Sequence, residues 1–336
     1  MNTELLTEFE ALKSLWRGLA SQRAEEGVVF IPFSRYGLYS VRLIKLFPNS
    51  LEGISFDFRA LALPPDTSLP QGRGFTSTGK KLFPREEGTW FSILRRDDGL
   101  IDLFSSMVMD LCDLLKAHCL LEPSFLLNLL IRRIFAWQRF MEKPDRRLLS
   151  FQEEVGLYGE LSLLWILLEE YADWQYIINS WIGPSDGAHD FEFEFGDFEV
   201  KSFLGSSDFV AHISSLEQLS TLGKTFLYLV GFRLETSSDG CTLGNLIERI
   251  RIFIQSDAVA VADFESKLLE AGVSLLDISR FSMTFRIIKI DLFSVDDEFP
   301  RLIRGNVPSE TVAASYSILL DHVPKDPISF HCCFLN

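Results

Sequence analysis

Between residues 183 and 202 the chain reads Gly-Pro-Ser-Asp-Gly-Ala-His-Asp-Phe-Glu-Phe-Glu-Phe-Gly-Asp-Phe-Glu-Val-Lys-Ser. Side chains on a strand alternate faces, so Asp190, Glu192 and Glu194 share one side while Phe191, Phe193 and Phe195 share the other. Gly196-Asp197 reads as a two-residue hairpin turn, in the less common order of that pair. Such a turn pairs 195 with 198 and 194 with 199. Glu199 and Lys201 then join the polar face, and Phe198 and Val200 extend the apolar one. Carboxylates gathered on a rigid surface repel one another unless something positive lies among them. Their oxygens suit a hard divalent cation such as Mg²⁺ or Mn²⁺. Lys201 can orient an attacking water or steady charge developing on a phosphate. The same alternation of Phe and Glu also describes any half-buried strand with a solvated face.

A second acid lies upstream. Leu157, Leu161, Leu164 and Leu168 form the apolar stripe of a helix predicted over 151–171, and Glu160 sits three residues after the first and four before the third. An inward acid is costly unless paired or bound to a cation; one that reaches solvent, or an Arg elsewhere, needs neither. Gly156 and Gly159 permit another backbone to approach closely, although each weakens the helix by up to about 1 kcal/mol.

Positioning these side chains falls to a mixed α/β region. Beyond the 151–171 helix, strands are predicted at 190–195, 198–203 and 209–213, then a helix from about 215 and an apolar strand over 225–233. Helices over 242–255 and 258–271 and strands at 281–290 and 316–320 follow. Ahead of this region come a helix over 3–20 and strand-like runs at 28–33, 36–46, 53–61 and 89–95. Residues 1–100 thus read as a β-rich module. Helices over 101–121 and 123–142 form a connector (101–150), opened in its second helix by Pro123 and closed by Lys143-Pro144-Asp145. Residues 151–290 are the core, and 291–336 a C-terminal extension packed on it. The expected class is α+β, a mixed sheet flanked by helices.

Composition sets limits. Of 336 residues 47% are hydrophobic and 30 are Phe, which is ample for folded cores and rules out intrinsic disorder. Apolar runs such as 161–168 and 226–232 fall short of the roughly 18 residues that span a bilayer. The acidic start lacks a secretory signal, and five scattered cysteines fit a reducing compartment, so a cytoplasmic protein is expected. The net charge of −15 argues against coating nucleic acid by bulk attraction; contact with it needs a local basic surface, a metal or a partner.

A helix-borne Glu, then an Asp at a strand start, then Glu-x-Lys on the next strand resembles the PD-(D/E)XK nuclease superfamily, the core shared by many restriction endonucleases. More closely, several segments resemble an uncharacterised bacterial family of PD-(D/E)XK motif proteins that occur beside restriction and phage-defence genes. These are Leu130-Ile-Arg-Arg-Ile-Phe-Ala-Trp-Gln, Gly156-Leu-Tyr-Gly-Glu-Leu, Trp181-Ile-Gly-Pro, His189-Asp-Phe, Glu199-Val-Lys-Ser and Ile213-Ser-Ser-Leu-Glu-Gln-Leu. The resemblance implies a restriction-endonuclease-like core and Mg²⁺- or Mn²⁺-dependent hydrolysis of DNA phosphodiesters. It makes Asp190, Glu199 and the Val200 carbonyl metal ligands, Lys201 the catalytic lysine and Glu160 an accessory acid. Ser202 and Gln218 become candidate substrate contacts. His189 replaces the usual proline, a minor change because the carboxylate binds the metal. A two-residue turn, however, leaves Asp190 opposite Phe203, some four residues from Glu199; a twist, a bulge or a longer turn must close that gap, or Glu192 becomes the better ligand. Gln218 fits a Gln-x-x-x-Tyr pattern only in part, because Leu222 stands in the tyrosine's place. Ser214-x-x-Glu217 and Ser215-x-x-Gln218 are also capping boxes.

Arg132, Arg139 and Lys143 recur at i, i+7 and i+11, one helical stripe within a stretch that also holds Arg133, Arg146 and Arg147. They offer phosphate contacts, or an exposed face that offsets neighbouring acids. His189 and His212 flank the core and could assist proton transfer. His331-Cys332-Cys333 lacks the partners of a zinc site. No Gly-rich phosphate loop or nucleophile elbow is present. The rival to a nuclease is a catalytically inactive scaffold or binding subunit of a defence complex.

Overall fold

The alternating runs of the first hundred residues pair into one sheet. The computed structural model describes residues 3–58, 69–80, 82–83, 89–142, 149–185, 187–194 and 196–327. Two units divide the chain, Met1–Arg146 and Arg147–Asn336. The first opens with α1 (Thr3–Ala20) and continues with β1 (Gly27–Tyr36), β2 (Tyr39–Phe47), β3 (Leu51–Phe58), β4 (Gln71–Gly72), β5 (Phe75–Thr78) and β6 (Thr89–Arg95). The strand order is β1-β2-β3-β6-β5-β4, with every pair antiparallel. β4 and β5 are too short to leave an alternating signature, and the sequence does not announce them.

α2 (Ile101–His118) and α3 (Pro123–Glu142) belong to this same unit. Arg133 of α3, one of the basic residues read in the stretch after Ile131, is 1% exposed. Its guanidinium donates to Asp110 of α2 at 2.9 Å, and Trp137 Nε1 donates to the other oxygen of that carboxylate at 2.7 Å. Buried charge survives only when matched, so Arg133 ties two helices together. Arg132 and Arg139 are exposed on α3. Lys143, Arg146 and Arg147 lie outside the described residues.

The second unit begins with α4 (Phe151–Glu170). Ser150 Oγ accepts from the Glu153 N–H, and the Glu153 carboxylate accepts from the Ser150 N–H at 2.6 Å, a reciprocal cap. Then come α5 (Trp174–Ser180), β7 (Phe191–Glu192), β8 (Gly196–Leu204), β9 (Val210–Ile213), β10 (Phe226–Thr242), α6 (Leu243–Phe253), α7 (Ala258–Ala271), β11 (Thr284–Ser294) and β12 (Tyr316–Leu319). The main sheet runs β11-β10-β8-β7; β8 and β10 are parallel and the other pairs antiparallel, while β9 and β12 pair separately.

β8 is covered on both sides. Phe198 and Val200 pack with Val230 and Phe232 against Leu157, Leu161, Leu164 and Leu168 of α4. Each such buried side chain contributes about 1.5–3 kcal/mol. On the opposite face Leu227 and Leu229 pack with Phe209, Ala211, Ile213 and Ile318. Asp197, Glu199 and Lys201 point to this second face by alternation. The result is an α+β protein with a β-rich N-terminal region, as expected, and a mixed sheet with helices on one face and the β9–β12 pair on the other.

The helix expected from about 215 is absent: residues 214–224 form bends and turns. Ser215 Oγ accepts from Glu217 N in a local turn, and Gly223, at φ +79°, stops any continuation. Too few helix formers precede that glycine to repay nucleation. No helix among the described residues is long and apolar enough to cross a membrane.

Candidate metal and catalytic site

β7 and β8 form the anticipated hairpin with a longer turn than Gly196-Asp197. Phe191 pairs with Phe198 and Glu192 with Asp197, and the Phe193 N–H donates to the Gly196 carbonyl at 2.9 Å. Phe195, central to the two-residue register, lies outside the described residues. Relative to that register the strands slip by four positions. An even slip leaves each side chain on its own face, and it carries Asp190 from opposite Phe203 to opposite Glu199. Asp190 Oδ2 accepts from the Val200 N–H at 2.8 Å. In a strand a residue's N–H and C=O leave toward the same edge, so the Val200 carbonyl faces the Asp190 side, where β7 has ended.

α4 supplies the third acid. Glu160 Oε2 accepts from Trp181 Nε1 at 2.8 Å. A Cβ on Gly183 would stand 2.7 Å from that oxygen and 2.9 Å from Asp190 Oδ1, so the two carboxylates converge on one glycine. Lys201 Nζ donates to Glu199 Oε1 at 2.7 Å. The ammonium thus touches Glu199 and acts on Asp190 and Glu160 through space.

Their electrostatics follow. Burial pushes the Glu199 carboxyl up to about 8, with the Asp190 carboxyl adding to it and Lys201 opposing. Glu160 is held well above the usual carboxylate range, first by burial and then by Asp190. Burial also raises Asp190, against Lys201 and the Val200 N–H. The donor set (carboxylates and a carbonyl, all hard oxygen) fits a divalent cation such as Mg²⁺ or Mn²⁺, which would take up the protons' place on these buried acids.

A second cluster lies beside it on the same hairpin. His189 Nδ1 stands 2.8 Å from Asp197 Oδ2, Lys224 Nζ donates to Asp197 Oδ1 at 2.9 Å, and Lys224 is 3.8 Å from Glu192. Ligand atoms of His189, Glu192 and Asp197 all lie within 4.8 Å of one another, and among the described residues no other trio of His, Cys, Asp and Glu does so. Glu160, Asp190 and Glu199 do not bring one oxygen each within that distance. Lys224 already supplies positive charge to the His189 cluster.

The remaining candidates scatter. Ser202 Oγ is buried without a hydrogen-bond partner on the α4 side of β8, and a Cβ on Gly159 would come within 1.9 Å of it. Ser202 therefore faces the helix, away from Lys201. Gln218 Oε1 accepts from the Ser214 N–H at 2.8 Å, pinning its own turn. His212 is exposed on β9. Arg132 and Arg139 belong to the other unit. His331, Cys332 and Cys333 lie outside the described residues. Sequence reasoning missed Trp181, Gly183, Asp197 and Lys224 as parts of the networks. Trp181-Ile-Gly-Pro carried resemblance without a role, and Lys224 is 27 residues from its partner.

No curated protein and no solved structure matches the chain. The profile of a family described as "Putative PD-(D/E)XK family member" matches residues 12–321, nearly the whole chain and both units. The chain belongs to this PD-(D/E)XK family, whose character is nuclease-like.

Proposed function

We propose that the protein hydrolyses phosphodiester bonds of DNA with Mg²⁺ or Mn²⁺, acting as an endonuclease of a restriction or phage-defence system in the cytoplasm. The observation that supports this reading best is the Asp190 carboxylate bound to the Val200 N–H, next to the Glu199–Lys201 pair and sharing the Gly183 gap with Glu160. A divalent cation held by the Asp190 and Glu199 carboxylates and the Val200 carbonyl would supply Lewis-acid stabilisation of phosphate charge. Lys201 orients the attacking water and donates to the phosphate oxygen that gains charge. Glu160 is the accessory acid, its carboxylate fixed by the Trp181 indole. Arg132 and Arg139 contact phosphates from α3. Reversing both to Glu weakens DNA binding and flattens its salt dependence; no change in either rejects that role.

The test of the reaction is incubation of supercoiled plasmid with Mg²⁺ or Mn²⁺. Cutting should be lost in both Asp190→Ala and Lys201→Ala, and cutting that survives both overturns the assignment.

The wider spacing of Glu160, Asp190 and Glu199, together with the Lys201–Glu199 pair, favours a second reading: an inactive nuclease-like subunit that binds other defence proteins. Calorimetric titration separates the two readings, because a scaffold takes up no Mn²⁺ that depends on Asp190.

A further inference from the structure

The segment Trp181-Ile182-Gly183 links α5 to the stretch before β7 and touches both acids that flank it. Trp181 is fully buried, and its indole N–H donates to Glu160 Oε2 at 2.8 Å. The Ile182 and Gly183 N–H groups both donate to the Asp190 carbonyl, at 2.8 and 3.0 Å. Lys267 of α7 donates to the Trp181 carbonyl and, at 3.3 Å, to that of Asn179. One short strap is therefore anchored from behind by an ammonium. It grips Glu160 through a side chain and Asp190 through the main chain.

We propose that this strap sets the separation of Glu160 and Asp190, with Trp181 as a positioning residue acting through Glu160 and Gly183 as the gap that lets the carboxylates approach. The proposal rests on the reading that these acids serve a divalent cation. Its geometric content is specific. Both carboxylates are tied, Glu160 by the indole and Asp190 by the Val200 N–H, so neither swings away freely. A methyl at Gly183 would meet Glu160 Oε2 at 2.7 Å and Asp190 Oδ1 at 2.9 Å, closer than carbon and oxygen tolerate. The φ of Gly183 is not in the left-handed region, so the glycine serves for space and not for backbone freedom. Groups that orient metal ligands typically govern affinity as strongly as this arrangement implies.

The experiment measures Mn²⁺ affinity by titration calorimetry on the full chain, with circular dichroism and thermal unfolding as folding controls. Trp181→Phe keeps an aromatic ring and loses the donor; Gly183→Ala adds only a methyl. Each should weaken Mn²⁺ binding by about 10- to 100-fold in a folded protein. Trp181→Phe should cause no further loss in a Glu160→Ala background, because its route runs through that carboxylate. Two folded variants that bind Mn²⁺ like the wild type overturn the proposal, as does an equal loss from Trp181→Phe whether or not Glu160 is present. If Trp181→Phe fails to fold, Gly183→Ala decides. A wild-type protein that takes up no Mn²⁺ rejects the metal-dependent reading itself, a result distinct from wild-type binding that the strap variants leave untouched.

Discussion

Two carboxylate clusters flank the same hairpin, and they differ in how their charge is balanced. Around Asp197, which is fully buried, the chain provides its own compensation: His189, the Lys224 ammonium and the Phe193 N–H all meet that one carboxylate. Around Lys201 the ratio is reversed, with Glu160, Asp190 and Glu199 sharing a single ammonium and all raised by burial. Closeness of ligand atoms points to the first cluster; charge balance points to the second. The lesson is that a tight cluster already neutralised from within has little to gain from a cation.

Several measurements would break or sharpen this contrast. The largest effect is expected from Lys201→Ala, which should lower plasmid cleavage by about a hundred- to a thousandfold, since in the proposed reaction it removes the donor to developing charge. Lys224→Ala should instead act on folding. Leaving Asp197 short of its counter-charge should cost about 3 kcal/mol in urea unfolding, with cleavage retained. If both lysines affect both properties alike, the two clusters are not distinct.

The next test is pH. The folded Glu199 carboxyl lies near 8 against an ordinary 4.5, so its contribution to stability is full below about 4.5 and lost as pH rises through about 8. The cation-free protein should therefore lose stability over that window. Saturating Mn²⁺ should flatten the decline, and binding at pH 7 should release protons, read from the dependence of the calorimetric heat on buffer ionisation. A decline that Mn²⁺ leaves unchanged separates Glu199 from the cation. The smallest effect is expected from Ser202→Ala, which removes a hydroxyl that has no partner. Its unfolding free energy should stay within about 1 kcal/mol of wild type or rise slightly.

The faces of the site were legible in the sequence and its register was not. Period-2 alternation placed Asp190, Glu199 and Lys201 on one side, and any even slip preserves that. The slip itself depends on how the chain turns between Glu192 and Asp197, where Gly196-Asp197 looked like the turn and is in fact the start of β8. Asp197 was hidden for the same reason: a turn residue has no face. The role of Lys224 could not be read because its partners lie far back along the chain. The opposite error arose at Gln218, where two capping boxes announced a helix that Gly223 and a run of Ser and Thr do not sustain. Long elements such as α4 and α7 emerged close to their predicted limits because apolar spacing marks their interiors and caps mark their ends, Ser150 before α4 and Asp257 and Gly272 around α7.

The contact between Gly159 and Ser202 has a mechanical consequence for its neighbour. With no side chain at 159, α4 settles directly onto β8, and that stand-off fixes how high Glu160, the very next residue, rides above the sheet edge. A single methyl at 159 would first turn the unpartnered Ser202 hydroxyl aside and then press on Ser202 Cβ and Val200 Cγ1 at 3.3 and 3.4 Å. Whatever small lift of the helix that pressure forced would be passed to the acid beside it, although every residue that bears charge had been left untouched.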